Sequence, residues 1–80
     1  MDKSKIIETA QQYVLRGQIP KAIDEWKKLL ADTPNDAGIF NTIGDLYLRS
    51  QSPEKAVESY LEAGEIFKGL GFIAKAIAVF

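Results

Sequence analysis

FNTIGDLY (residues 40–47), followed after eight residues by AVESY (residues 56–60), is the most informative part of the sequence. In the first segment, large apolar residues recur at helical spacing around Gly44. In the second segment, Ala56 precedes Tyr60 by about one helical turn. A small residue lets two helices approach closely, and a large aromatic side chain fills the space one turn away. The two segments therefore predict a closely packed pair of helices.

The same pattern occurs twice in the chain. An alanine is followed four residues later by an aromatic residue at Ala22 and Trp26, and again at Ala56 and Tyr60. We call the separation between residues 22 and 56 the repeat offset. The further matches at this offset are Tyr13 with Tyr47, Ala10 with Gly44, and Ile6 with Phe40. Five matches at one offset predict a tandem repeat of a helix pair.

Apolar residues recur at helical spacing along almost the whole chain, and no alternating β pattern occurs. Breaks are predicted at Gly17, at DTPND (residues 32–36), at RSQSP (residues 49–53) and at KGLG (residues 68–71). The sequence therefore predicts an all-α fold of about five antiparallel helices joined by tight turns.

These segments resemble the tetratricopeptide repeat (TPR) family. Its repeat has an aromatic residue, a leucine–glycine pair and a tyrosine in the first helix, and an alanine and an aromatic residue in the second. The resemblance spans essentially the whole chain, although Thr9 and Ala10 replace the leucine–glycine pair in the first unit. It implies a short right-handed α-solenoid in a single TPR-like domain, residues 1–80. The implied units are repeat one at about 3–36, repeat two at about 37–70 and a partial third unit at about 57–80.

The last ten residues, GFIAKAIAVF, form a third match that is out of register. Ala76 and Phe80 take the alanine and aromatic positions, but Ala76 follows Ala56 by much less than the repeat offset. We expect a fifth helix here, packed against the fourth on one side and apolar on the other. That apolar side is expected to be covered by a second copy of the chain, by a different protein or by further helices of a longer parent chain, and we favour the last. The self-association residues would be Phe72, Ile73, Ile77 and Phe80.

Composition argues against catalysis and against several classes of partner. The chain has no histidine and no cysteine, which removes the commonest metal ligand, the usual general base and the thiolate nucleophile. We therefore predict no enzyme activity, no catalytic or metal-binding residues and no cofactor. A net charge of −1 without a basic patch argues against nucleic acid. No apolar run reaches the roughly 18 residues that a membrane span needs, and the N-terminus lacks a signal-peptide pattern, so we expect a cytoplasmic protein.

The TPR resemblance implies a protein–protein interaction module that acts as a scaffold or adaptor. In this family, the first helix of each pair lines a concave groove that holds a peptide or a partner helix. The groove residues implied for this chain are Ile7, Glu8, Gln11, Asn41, Thr42, Asp45, Leu48 and Arg49. The alternative is a structural module that forms a homodimer or larger oligomer through the apolar C-terminal helix, residues 72–80.

Helix four also carries a stripe of glutamates, with two alternative interpretations. The stripe consists of Glu54, Glu58, Glu62 and Glu65. It is either a solvated face or a docking surface for a basic partner, and binding to such a partner would weaken steeply as salt is added.

Overall fold

Four helices follow one another in the part of the chain that the structure describes. The structure, a computed structural model, describes the backbone of residues 3–78 and the side chains of residues 3–69. The helices are α1 (Lys3–Leu15), α2 (Ile19–Asp32), α3 (Ala37–Arg49) and α4 (Pro53–Ala78). Close backbone contacts join α1 to α2, α2 to α3 and α3 to α4. The described residues contain no strand, so the all-α prediction is confirmed.

The predicted number of helices requires a correction from five to four. The sequence predicts a turn at residues 68–71, whereas α4 continues through Gly69 and Gly71 without a break. A glycine inside a helix costs only about 1 kcal/mol relative to alanine, and no proline follows to block the backbone. Once a helix is nucleated, each further residue adds a hydrogen bond, so two glycines alone do not end it. The handedness of the solenoid stays a prediction.

The hydrophobic core lies where α2 packs between α1 and α3. Its buried residues are Ile6, Ala22, Ile23, Leu29, Ile39, Ile43 and Leu46. Leu29 and Ile43 are each 2% exposed and are the largest fully buried side chains. The four aromatic residues at the repeated positions are only partly buried: Tyr13, Trp26, Tyr47 and Tyr60. They lie at the edges of the helix interfaces, so their rings pack on one side and contact solvent on the other.

The helices α3 and α4 pack closely at Gly44. A Cβ atom added at this residue would lie 2.7 Å from Cε1 of Tyr60, which is too short for a real contact. The equivalent residues of the first helix pair, one repeat offset earlier, are Ala10, which is fully buried, and Trp26. The second helix pair therefore requires a glycine where the first accepts an alanine.

The turn inside each helix pair has the same hydrogen-bond geometry. In the first pair, the amide of Gly17 donates to Val14 O at 3.0 Å and that of Gln18 to Tyr13 O at 2.8 Å. In the second pair, the amide of Gln51 donates to Leu48 O at 3.1 Å and that of Ser52 to Tyr47 O at 2.8 Å. These two bonds define a Schellman motif, which ends a helix with one residue in the left-handed conformation.

The left-handed residue differs between the two turns. Gly17 has a φ of 76° and Gln51 has a φ of 63°. Glycine adopts this region without cost, whereas the Cβ atom of another residue crowds the following carbonyl. The second turn is therefore strained at a position where the first is not.

Exchanging the two residues one at a time tests this difference. We expect Gln51→Gly to raise the free energy of unfolding by about 0.5–1 kcal/mol, because the relief of strain exceeds the extra entropy of glycine in the unfolded chain. We expect Gly17→Gln to lower it by a similar amount, since a Cβ atom at residue 17 meets no other atom within 4 Å and only the backbone is strained. Urea unfolding with an unchanged m-value measures both. Two shifts of the same sign would contradict the account.

Candidate protein-binding surface

The predicted groove residues of α3 form one exposed stripe. Asn41, Asp45, Leu48 and Arg49 are all exposed, and their spacing of three or four residues places them on one side of the helix. Leu48 is 51% exposed, an unusual fraction for a leucine in a packed helix pair. Thr42, beside the stripe, is partly buried. Four of the five predicted α3 residues are therefore fully accessible to a ligand.

Two of these side chains already have partners within the chain. The hydroxyl of Tyr60 donates a hydrogen bond to Oδ1 of Asp45, which links α4 to α3. The hydroxyl of Thr42 donates to the backbone oxygen of Gly38 at 3.0 Å. Thr42 can therefore act only as an acceptor for a ligand, while Asp45 retains its second carboxylate oxygen.

The side chains of Asn41 and Arg49 have no such partners among the described residues. Among the residues that the structure describes, neither side chain makes an intramolecular hydrogen bond or ion pair. The amide of asparagine offers both donors and an acceptor, and the guanidinium of arginine offers five donors. These two residues are the groups on the α3 stripe most available to a ligand.

The predicted groove residues of α1 divide into two kinds. Glu8 and Gln11 are exposed, whereas Ile7 is partly buried and packs against the hydrophobic core. Ile7 therefore serves packing as well as any contact with a ligand. The helices α1 and α3, which carry the two sets of residues, each contact α2. That they line one shared groove stays a prediction.

The structure also has a cleft that the sequence did not predict, on the side of α3 that faces α2 and α4. A cavity of about 340 Å³ lies there, and its lining includes Lys27, Phe40, Lys55 and Glu58. Nζ of Lys27 and Nζ of Lys55 lie 5.6 Å and 5.9 Å from the centroid of the Tyr47 ring. Each such contact is worth about 0.5–1 kcal/mol at an exposed site.

One sequence signal could have revealed part of this cleft. Lys21 and Lys55 are separated by the repeat offset, as are Tyr13 and Tyr47. Nζ of Lys21 lies 5.9 Å from the centroid of the Tyr13 ring, the same distance as the equivalent contact in the second pair. A lysine and a tyrosine that both recur at the repeat offset thus indicate a repeated contact.

A protein-family model described as TPR repeat matches residues 10–51, just over half of the chain. The chain belongs to the TPR family. The matched segment includes both left-handed turn residues and all of α2 and α3. No curated protein and no solved structure matches the chain significantly.

Membership of the TPR family confirms the resemblance seen in the sequence and gives a general function. TPR repeats generally mediate protein–protein interaction, and they are typically non-catalytic modules that bind proteins or peptides. In the part of this TPR chain that the structure describes, no group of three or more acidic residues is placed to hold a metal ion. No helix among the described residues is both long enough and apolar enough to span a membrane. The cytoplasmic location stays a prediction.

Two further sequence predictions concern α4 of this TPR chain. The residues predicted for self-association lie outside the described side chains, so that alternative stays a prediction: Phe72, Ile73, Ile77 and Phe80. The four glutamates of the acidic stripe are all exposed. Glu58 and Glu62 line the cleft beside α2, and Glu54 and Glu65 do not. Two glutamates of the stripe therefore lie beside the cleft, and the other two lie outside it.

The bond between Tyr60 and Asp45 predicts a shifted titration. Donation of the phenol proton to the Asp45 carboxylate, helped by partial burial and by the carboxylate charge, raises the pKa of Tyr60 above its ordinary value of 10.0. Because the folded-state pKa is raised, the stabilisation is present at neutral pH and is lost as the pH rises through that pKa. NMR titration of ¹³C-labelled tyrosine measures it.

We expect Asp45→Ala to return the pKa of Tyr60 toward 10.0, because the acceptor and its charge are removed. Asp24→Ala, at an exposed aspartate of α2, is the matched control and should leave the Tyr60 titration unchanged. A Tyr60 pKa that is insensitive to Asp45→Ala would contradict the assigned contact.

Proposed function

We propose that this TPR chain binds a peptide or a partner helix on the exposed side of α1 and α3, and that it acts as a non-catalytic scaffold or adaptor. The observation that best supports the proposal is the α3 stripe, where Asn41 and Arg49 are exposed and uncommitted on either side of an exposed leucine, Leu48. Surface side chains with unused hydrogen-bonding groups around an apolar contact are typical of the polar-rimmed sites at which proteins bind peptides.

The chemistry of the stripe indicates the kind of ligand that fits. The Asn41 amide can pair with both the N–H and the C=O of a ligand backbone. The Arg49 guanidinium can form a bidentate bond with a carboxylate. Leu48 gives an apolar contact between them. We therefore propose a ligand segment with an accessible backbone, an apolar side chain and an acidic side chain.

We further propose that the chain is organised as two TPR units, at about residues 3–36 and 37–70, in one domain. Support comes from contacts that recur at the repeat offset, namely the two Schellman turns and the two lysine–tyrosine contacts. The partial third unit, at about 57–80, stays a prediction, because most of its distinguishing side chains lie outside the described ones.

Substitution of the α3 stripe tests the binding function. Peptides are selected against the intact chain from a phage-displayed library, and their dissociation constants are measured for Asn41→Ala, Arg49→Ala and a control variant, Lys28→Ala. Lys28 is an exposed residue of α2 whose side chain bonds only Glu25. We expect at least fivefold weaker binding for each α3 variant, because each removes bonds to the ligand, and no change for Lys28→Ala.

Equal affinities for all three variants would place the ligand elsewhere on the chain and overturn the proposal. Circular dichroism of each variant checks that the helices are retained. Since all three residues are exposed, we expect stability changes within about 0.5 kcal/mol.

A further inference from the structure

Three aliphatic side chains form an exposed surface at the α4 end of the helix array, which we call the end face: Leu48, Val57 and Leu61. Their exposed fractions are 51%, 55% and 63%. The bond between Asp45 and Tyr60 fixes the antiparallel register of α3 and α4. Leu48 and Val57 each lie three residues closer to the turn than that bond, so they are at the same level, and Leu61 follows one helical turn later.

Two of the three equivalent residues in the first helix pair are covered. The residues one repeat offset before Leu48 and Val57 are Val14 and Ile23. Ile23 is 4% exposed, compared with 55% for Val57, and Val14 is partly buried against the same core. The residue that corresponds to Leu61 is Lys27, which lines the cleft over Tyr47. The end face is thus the uncovered, more apolar counterpart of a surface that is an interface in the first pair.

The helix that covers the first surface is α3. Its buried residues Ile39, Ile43 and Leu46 belong to the same cluster as Ile23. They are spaced at i, i+4 and i+7, which places them on one side of the helix. The aliphatic side of α3 is therefore an example, within this chain, of a helix surface that fits the end face.

We propose that the end face binds an amphipathic helix of another protein, one that presents aliphatic side chains at i, i+4 and i+7 with basic residues beside them. This is the helix-in-groove mode of recognition, in which the apolar side of a helix docks on a hydrophobic surface. The site is separate from the α1–α3 surface of the proposed function, because it lies mainly on α4 and shares only Leu48 with it.

Charge and polarity argue that the occupant is not a second copy of the chain. A head-to-tail copy would dock α1, whose residues equivalent to the aliphatic side of α3 are Lys5, Thr9 and Gln12. That side of α1 is polar and cannot cover an apolar surface well. A two-fold dimer that packs the two α4 helices parallel would bring Glu54 and Glu65, which lie seven residues before and four residues after Leu61, close to their own copies. An antiparallel dimer centred on Leu61 would place Glu65 against the aliphatic Val57 of the other copy.

The same two glutamates favour a basic partner. Both are exposed, and helical spacing places them along the edge of α4 nearest Leu61. Lysine or arginine beside the aliphatic residues of a partner helix would complement them and would make association faster at low salt. Two residues of the acidic stripe would thus favour a basic partner over a neutral or acidic one.

A peptide copied from α3 provides the probe. It spans residues 36–50, carries Asn41→Lys so that a lactam between the side chains at positions 41 and 45 holds it helical, and keeps its three aliphatic residues free. A second peptide with Thr42→Lys adds a basic residue beside them. A third with Ile43→Asp is the matched control. Isothermal titration calorimetry measures binding of each peptide to the intact chain and to two of its variants, Leu61→Glu and Leu15→Glu.

Leu15 is 79% exposed at the end of α1, away from the end face, so Leu15→Glu controls for a general effect of a new charge. We expect the α3 peptide to bind the intact chain and its Leu15→Glu variant equally, and to bind Leu61→Glu at least tenfold more weakly. We expect Thr42→Lys to bind at least threefold more tightly than the α3 peptide at low salt, and Ile43→Asp to show no binding.

Three results would overturn the proposal. One is the absence of binding by the α3 and Thr42→Lys peptides at millimolar concentration. Another is equal affinity for the intact chain and Leu61→Glu. The third is a dimer, observed by sedimentation at the same concentrations, that Leu61→Glu converts to a monomer, because the occupant would then be a second copy.

Discussion

The contact between Gly44 and the ring of Tyr60 sets the distance between α3 and α4. An added Cβ atom at residue 44 would lie within 3 Å of three ring atoms, so the Tyr60 ring packs against the backbone of α3 at a distance that only a glycine permits. Because the ring is held there, its hydroxyl reaches Asp45, the residue that follows Gly44 on α3. That bond in turn fixes the register of α3 and α4 and places Leu48 and Val57 at the same level along the two helices. Both proposed surfaces, the α3 stripe and the end face, depend on this register.

The two helix pairs reach the same geometry with different residues. Ala10 and Trp26 in the first pair correspond to Gly44 and Tyr60 in the second, and the Tyr60 ring occupies the space that a Cβ atom at residue 44 would need. The turns show the same principle, since glycine in one and Gln51 in the other adopt the left-handed conformation with matching hydrogen bonds. The backbone arrangement is therefore repeated more faithfully than the side chains that form it.

Much of the fold could be predicted because its signals are local. The breaks between the first three helices follow from Gly17, Pro34 and Asp36, and the side chain of Asp36 accepts from the amide of Ile39 at 3.2 Å as an N-cap. The break predicted near Gly69 was wrong, because the cost of glycine in a helix is small and depends on its surroundings. The partly buried state of Ile7 depends on how α1 rests on its neighbours, which no local pattern records. The cleft beside Tyr47 combines residues from three helices, so the repeated lysine–tyrosine spacing could indicate only part of it.

The central claim is that Gly44 is required by the ring of Tyr60, and a double-mutant cycle measured by urea unfolding tests it most directly. In the intact chain, we expect Gly44→Ala to lower the free energy of unfolding by about 1–2 kcal/mol, because overpacking against the ring exceeds the helix propensity gained. In a Tyr60→Ala background the same change should stabilise the chain by up to about 1 kcal/mol, since only the propensity gain remains. Gly64→Ala is the matched control, because its added Cβ atom meets nothing within 4 Å and should stabilise the chain in both backgrounds. If Gly44→Ala stabilised the intact chain as Gly64→Ala does, the close approach of α3 and α4 would be contradicted.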